Sequence, residues 1–139
     1  MQTFLPEFSI KSHFPLSAPI TPRNIMTHHS GIPSDLLKGM WTKTPEPFQN
    51  EVNLIREEYA AYPPDFVYAY SNVGVTILGH ALEKIAGLDF TTLMTSSLLR
   101  PLRMYHSSFS QAPDHSPAAS KAYREGKETE ETPVFGLPA

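Results

Sequence analysis

Fourteen prolines distributed through 139 residues set the first limit on what this chain can fold into. Each fixes φ near −65° and removes a backbone donor, so it ends a helix and cannot sit in a central strand. The content is about twice the ordinary usage of ~5%. The prolines stand between apolar segments rather than in clusters, so they punctuate a folded chain. A single domain of this length can bury about two-thirds of its unfolded surface.

The segments between prolines carry helix signals. Thr21 reads as an N-cap with Pro22 at the first helical position, opening a helix through Ile25 and Met26 to about His29. Gly31 stops it and Pro33 prevents resumption. Residues 34–47 read as loop, with one turn at 35–37. A helix over 49–61 places Val52, Ile55 and Tyr59 on one face, and Pro63 and Pro64 end it. Residues 66–70 are short, extended and aromatic.

The strongest helix spans 72–86, with Ile77, Leu78, Ala81, Leu82 and Ile85 in one apolar stripe and Gly87 as a left-handed cap. Gly74 and Gly79 each cost about 1 kcal/mol against Ala in a helix interior, which points to close approach of another backbone. Asp89 caps a further helix through Leu99, which Pro101 terminates. Beyond Tyr105 the chain reads as loops with a short strand near Tyr123. No internal repeat is present.

Composition excludes several classes of function. The formal net charge is −3 and the pI about 6.0, with no basic stripe, so nucleic acid is not an expected partner. Glu125 to Glu131 is a mostly acidic run that reads as a solvated loop. Without cysteine there are no disulfides, no thiolate zinc sites and no Cys nucleophile. Pro6 and Glu7 stand where a signal peptide would have a basic start and an apolar run, and no segment approaches the ~20 apolar residues of a membrane span. The sequence therefore reads as soluble and without an export signal, and names no compartment.

Tyr70, Ser71 and Asn72, just ahead of the strongest helix, are the candidate site. Taken alone, Tyr-x-Asn is also what a packed aromatic followed by an Asn N-cap looks like, and Asn72 is suited to cap. The histidines offer no metal spacing: His28 and His29 are adjacent, and His13, His80, His106 and His115 fit no ligand pattern. No metal or cofactor is expected. His28 reads as a hydrogen-bonding residue at a helix terminus. Ser30 beside His29 lacks the strand-turn-helix elbow of a nucleophile.

Three segments decide the reading of Tyr70 and Asn72. They are ITPRNIMTHHSGIP at 20–33, YSNVGVTILGHALEKIA at 70–86 and LRPLRMYHSSF at 99–109. In this order and spacing they resemble the serine β-lactamase and penicillin-binding hydrolase family, nearest its class C β-lactamase and esterase branch. That family carries LLTHTSGLP, a YSN element opening a helix, and PLGM followed by S/T-x-F. Leu5, Pro6, Glu7 and Phe8 also resemble its LPEF stretch. Arg103 departs from the Gly of PLGM and His29 from the usual Thr, which puts turn geometry in doubt there.

The resemblance implies a mainly α chain, the helical subdomain of the α+β β-lactamase/transpeptidase-like fold without most of its central sheet. It implies catalytic roles for Tyr70, as general base or proton shuttle at an acylated serine, and for Asn72, as hydrogen-bond partner of the catalytic lysine and the substrate amide. A phenol of ordinary pKa ~10 acts as a base near neutrality only beside cations, and a lysine supplies one. The parent's partner is then a small-molecule or peptide substrate, namely a β-lactam, ester or D-amino-acid peptide. No cofactor is implied, and the oligomeric state stays open.

The nucleophile motif is missing. No serine has a lysine three positions later, and Ser34 misses with Lys38 four away. K-T-G is absent, and His29, Ser30 and Gly31 match H-x-G in letters only. Residues 1–139 are thus expected to be an internal piece, between the S-x-x-K helix and the C-terminal strands, inactive by itself. The rivals are a non-catalytic binding module and a truncated gene product. An internal piece should also leave apolar stripes uncovered, inviting association.

Overall fold

The computed structural model describes residues 1–36, 47–109 and 123–128. Four short helices carry it: α1 (Pro22–Met26), α2 (Phe48–Ile55), α3 (Asn72–Ala86) and α4 (Phe90–Met94), the last running into a π-helical turn at Thr95–Leu99. Two-residue strands β1 (Tyr123–Arg124) and β2 (Lys127–Glu128) pair antiparallel. Glu125 and Gly126 between them both have positive φ, 52° and 76°, the signature of a type I′ hairpin turn. The described residues are mostly helical with little strand.

The core is built by three elements closing on an N-terminal segment without regular structure. Leu5 and Phe8 from that segment meet Ile25 of α1, Ile32, Val52 and Ile55 of α2, and Val73, Ile77 and Ala81 of α3. Full burial of side chains such as Ile55 and Ile77 is worth about 1.5–3 kcal/mol each. The α3 stripe divides: Ile77 and Ala81 are buried, whereas Ile85 is 61% exposed and Leu82 is also exposed. Leu88, Leu98, Leu102 and Tyr105 are exposed as well.

The helix limits follow local signals in part. α3 has the expected limits, ending with Gly87 at φ 66°. Its cap, however, is Ser71 rather than Asn72, since the Ser71 hydroxyl accepts from the Gly74 amide at 2.8 Å. Gly74 and Gly79 do sit at close approaches, but to side chains: a Cβ on Gly74 would meet Ile25 and Ser71, and one on Gly79 would meet Phe48. Asp89 caps α4 through the Thr92 amide.

Two helices are shorter than their sequences suggest. α2 stops at Ile55 because the following backbone is taken by the N-terminal segment: Lys11 N–H donates to the Glu58 carbonyl and Ala60 N–H to the Lys11 carbonyl. Tyr59 accordingly leaves the helix face, is exposed, and stacks on His13 at 4.3 Å. α1 stops at Met26 because His28, not Gly31, takes the left-handed position, at φ 56°. Its N–H reaches the Ile25 carbonyl and the His29 N–H reaches the Asn24 carbonyl, the paired bonds of a Schellman ending. The loop assignment over 34–47 lies largely outside the described residues, apart from Ser34, Asp35, Leu36 and Pro47.

Candidate functional site

Two loops build the site at the N-terminus of α3. The first follows α1. Its Schellman ending turns the chain at His28, and Gly31 turns it again at φ 74°. A Cβ on Gly31 would collide with the Tyr62 carbonyl oxygen, so only glycine lets the two loops meet there. Ala61 N–H donates to the Gly31 carbonyl at 2.9 Å. The second loop, 61–71, is pinned to the first: Asp65 N–H donates to the His29 carbonyl and Ala69 N–H to the His28 carbonyl. Asp65 itself is left-handed, φ 64°, and its carboxylate accepts from the buried Asn24 amide at 2.7 Å.

Ser71 is the fixed point between the two loops. Only 1% of it is exposed. Its hydroxyl donates to the Pro33 carbonyl at 2.7 Å while accepting from Gly74, and its backbone N–H donates to Nδ1 of His28 at 3.2 Å. An amide can only donate, so Nδ1 of His28 carries the lone pair and the neutral ring has its proton on Nε2. The expected helix-terminus role of His28 is therefore played by backbone and ring together.

On either side of Ser71, Tyr70 and Asn72 turn toward each other. The Tyr70 hydroxyl donates to Oδ1 of Asn72 at 2.9 Å, and Tyr70 remains 53% exposed. Its ring lies 4.5 Å from the His28 ring, tilted by 38°, and Tyr68 meets His28 edge-on at 5.8 Å. Asn72 is half-buried and is held at three points. Its N–H donates to the Ser34 carbonyl at 2.9 Å, its Nδ2 donates to Oδ1 of Asp35 at 2.8 Å, and its Oδ1 accepts from Tyr70. The Ser34 hydroxyl donates to the other carboxylate oxygen of Asp35 at 2.6 Å. Those two bonds, Asn72 first, hold the Asp35 carboxyl below the usual carboxylate range.

The structure brings Tyr70 and Asn72 into direct contact, gives the capping role to Ser71 between them, and adds Asp35, which sequence reading did not assign. Nothing in the spacing announces Asp35, which lies 37 positions from its partner. Ser71 had a signal, a serine three residues ahead of Gly74, but Asn72 offered a competing one. Ser30 is fully buried, and its hydroxyl accepts from the Ile32 amide, so it faces no cleft. Lys11 is paired with Glu57 at 2.8 Å, and Lys84 lies 4.0 Å from Glu7. No group of three potential metal ligands occurs among the described residues, and no described helix is long and apolar enough to cross a membrane.

The β-lactamase family model matches residues 3–139. Protein flp of Staphylococcus aureus is 30% identical over 93 residues, covering 66% of this chain and 19% of that protein. PbpX of Bacillus subtilis, named for penicillin binding, is 25% identical over 130 residues, covering 93% of this chain and 32% of that protein. A β-lactamase/D-alanine carboxypeptidase from Yersinia pestis, solved with citrate, superposes with a TM-score of 0.63 at 24% identity over 76% of this chain and 31% of that one. A penicillin-binding protein from Bacillus halodurans gives 0.58 at 19% identity over 81% and 38%. The chain spans from about a fifth to under two-fifths of the length of these relatives and structures.

Proposed function

Since the chain belongs to the β-lactamase family of serine hydrolases, we propose that it supplies one wall of a hydrolase active site. The reaction proceeds through an acyl-enzyme on a β-lactam, an ester or a D-amino-acid peptide. Tyr70 is the general base or proton shuttle of that site and Asn72 its polar neighbour. The observation that carries this reading is the hydroxyl of the exposed residue Tyr70, 2.9 Å from the Asn72 side-chain carbonyl, on a loop anchored at both flanks.

The chemistry explains the residue types. Acylation requires a base to take the serine proton and an acid to return it to the leaving group. A phenol does both if a cation beside it favours the phenolate. Asn72 offers a donor and an acceptor without adding charge, so it can bind a lysine and a substrate amide while leaving the ionisation balance alone. The His28 ring packs against the phenol ring, 4.5 Å between centroids, and helps to fix its orientation.

The 139 residues contain no S-x-x-K, and we infer that by themselves they form no acyl-enzyme. The reading is tested by sequencing the coding region and expressing the longest open frame. An in-frame S-x-x-K should lie upstream, and Y70F in that polypeptide should lower kcat by about 10²–10⁴ with little change in KM. Full turnover by the Y70F protein would overturn the assignment. A non-catalytic binding module remains the second reading, favoured by the intact Tyr70–Asn72 pair in a chain without the nucleophile. It predicts saturable β-lactam or muropeptide binding by this chain with no hydrolysis.

A further inference from the structure

The Asn72 amide has two faces, and only one of its orientations presents the carbonyl to Tyr70. A primary amide can be turned end for end at little steric cost, so some other group must decide. Oδ1 of Asp35 lies 2.8 Å from the Asn72 nitrogen. A carboxylate only accepts, so it fixes the NH₂ group on its own side and leaves the carbonyl for the Tyr70 hydroxyl. The carboxylate is in turn held, because the Ser34 hydroxyl occupies its second oxygen at 2.6 Å and the Ser34 carbonyl accepts from the backbone N–H groups of Asn72 and Val73 at 2.9 and 3.3 Å. Ser34 and Asp35 therefore grip the start of α3 at both backbone and side chain.

We propose that Asp35 is a positioning residue of the active site, which sets the orientation of the Asn72 amide and through it the direction of the Tyr70 hydroxyl. The inference rests on the catalytic reading of Tyr70 and Asn72 given above, and adds to it the group that orients them. It assigns a chemical reason to a carboxylate at this place. Asparagine at 35 could present either end of its own amide, and Asn72 would then populate both orientations. A carboxylate removes that freedom.

The test reads the amide directly and needs no catalysis, so it separates this proposal from the functional one. In the ¹⁵N-labelled 139-residue chain, the Asn72 side-chain NH₂ signals should be well dispersed. On acidification they should move with a midpoint below the ordinary carboxylate value of ~3.9. D35N should abolish that titration and bring the two NH₂ protons closer in shift, with the backbone amides of α3 unmoved. D35E should restore part of the dispersion. The wild-type titration requires no variant, so a folding defect in D35N does not blunt it. Asn72 signals that ignore acid, or that are the same in D35N as in wild type, would overturn the proposal. If the amide titrates as stated while the longer polypeptide hydrolyses no ester or β-lactam, the positioning stands and the catalytic reading fails.

Discussion

At the scale of single residues, half of the left-handed non-glycine positions lie in the two loops that build the site. Among the described residues, four other than glycine have positive φ: His28, Asp65, Arg103 and Glu125. His28 and Asp65 are compensated by side-chain bonds that hold the two loops together. Arg103 is different. It is exposed, left-handed at φ 57°, and its N–H donates to the Arg100 carbonyl at 3.0 Å. The sequence departs there from the family's PLGM glycine, and the structure locates the doubt about turn geometry in that φ. A left-handed non-glycine residue costs about 1–2 kcal/mol, and relieving it with glycine is partly offset by the greater entropy of the unfolded glycine-containing chain. R103G should therefore raise stability by about 0.5–1 kcal/mol, read as a higher urea midpoint at unchanged slope. Acid should act at Asp35. Its lowered value means that the stabilisation from its bonds to Asn72 and Ser34 is present above the ordinary carboxylate value and is lost as pH falls through the folded one.

At the scale of elements, α3 is the frame on which the site stands. Its limits were legible because the signals are local: Ser and Asn ahead of the first turn, a 3.6-residue apolar stripe, and Gly87 at the end. The exact cap was not, because two good capping residues are adjacent. The choice is made by Asp35 and Tyr70, which draw the Asn72 side chain away and leave the Ser71 hydroxyl to cap. The end of α2 was equally hidden, since the backbone at Glu58 and Ala60 is claimed by Lys11, almost fifty residues away. Ile77, fully buried in the cluster to which α1 and α2 also contribute, ties the frame to the core. I77A should cost about 2–5 kcal/mol. Circular dichroism melts should lose that stability without a change in folded helix content, and a loss below 1 kcal/mol would mean that α3 is not packed as described.

At the scale of the whole molecule, the segments 20–33, 70–86 and 99–109 that suggested the family recur as α1 with its loop, the Tyr70–Asn72 turn with α3, and the turn after Leu99. The match of residues 3–139 establishes the family, and the likeness to the two solved structures establishes the fold. What sequence could not supply was the pairing across loops, because contacts between positions 35 and 72 or 28 and 71 leave no periodic trace. The exposed Ile85, Leu98 and Leu102 are large apolar side chains of the kind that a neighbouring layer covers in a larger domain.

Tyr70 and Asn72 are proposed as the base side of a serine hydrolase site, in a stretch of 139 residues that contains no S-x-x-K. Intact-mass spectrometry of the purified chain after prolonged exposure to benzylpenicillin and to a fluorophosphonate tests this reading most directly. The unmodified mass is expected with both reagents, and a stoichiometric adduct on any serine would contradict the proposed reading.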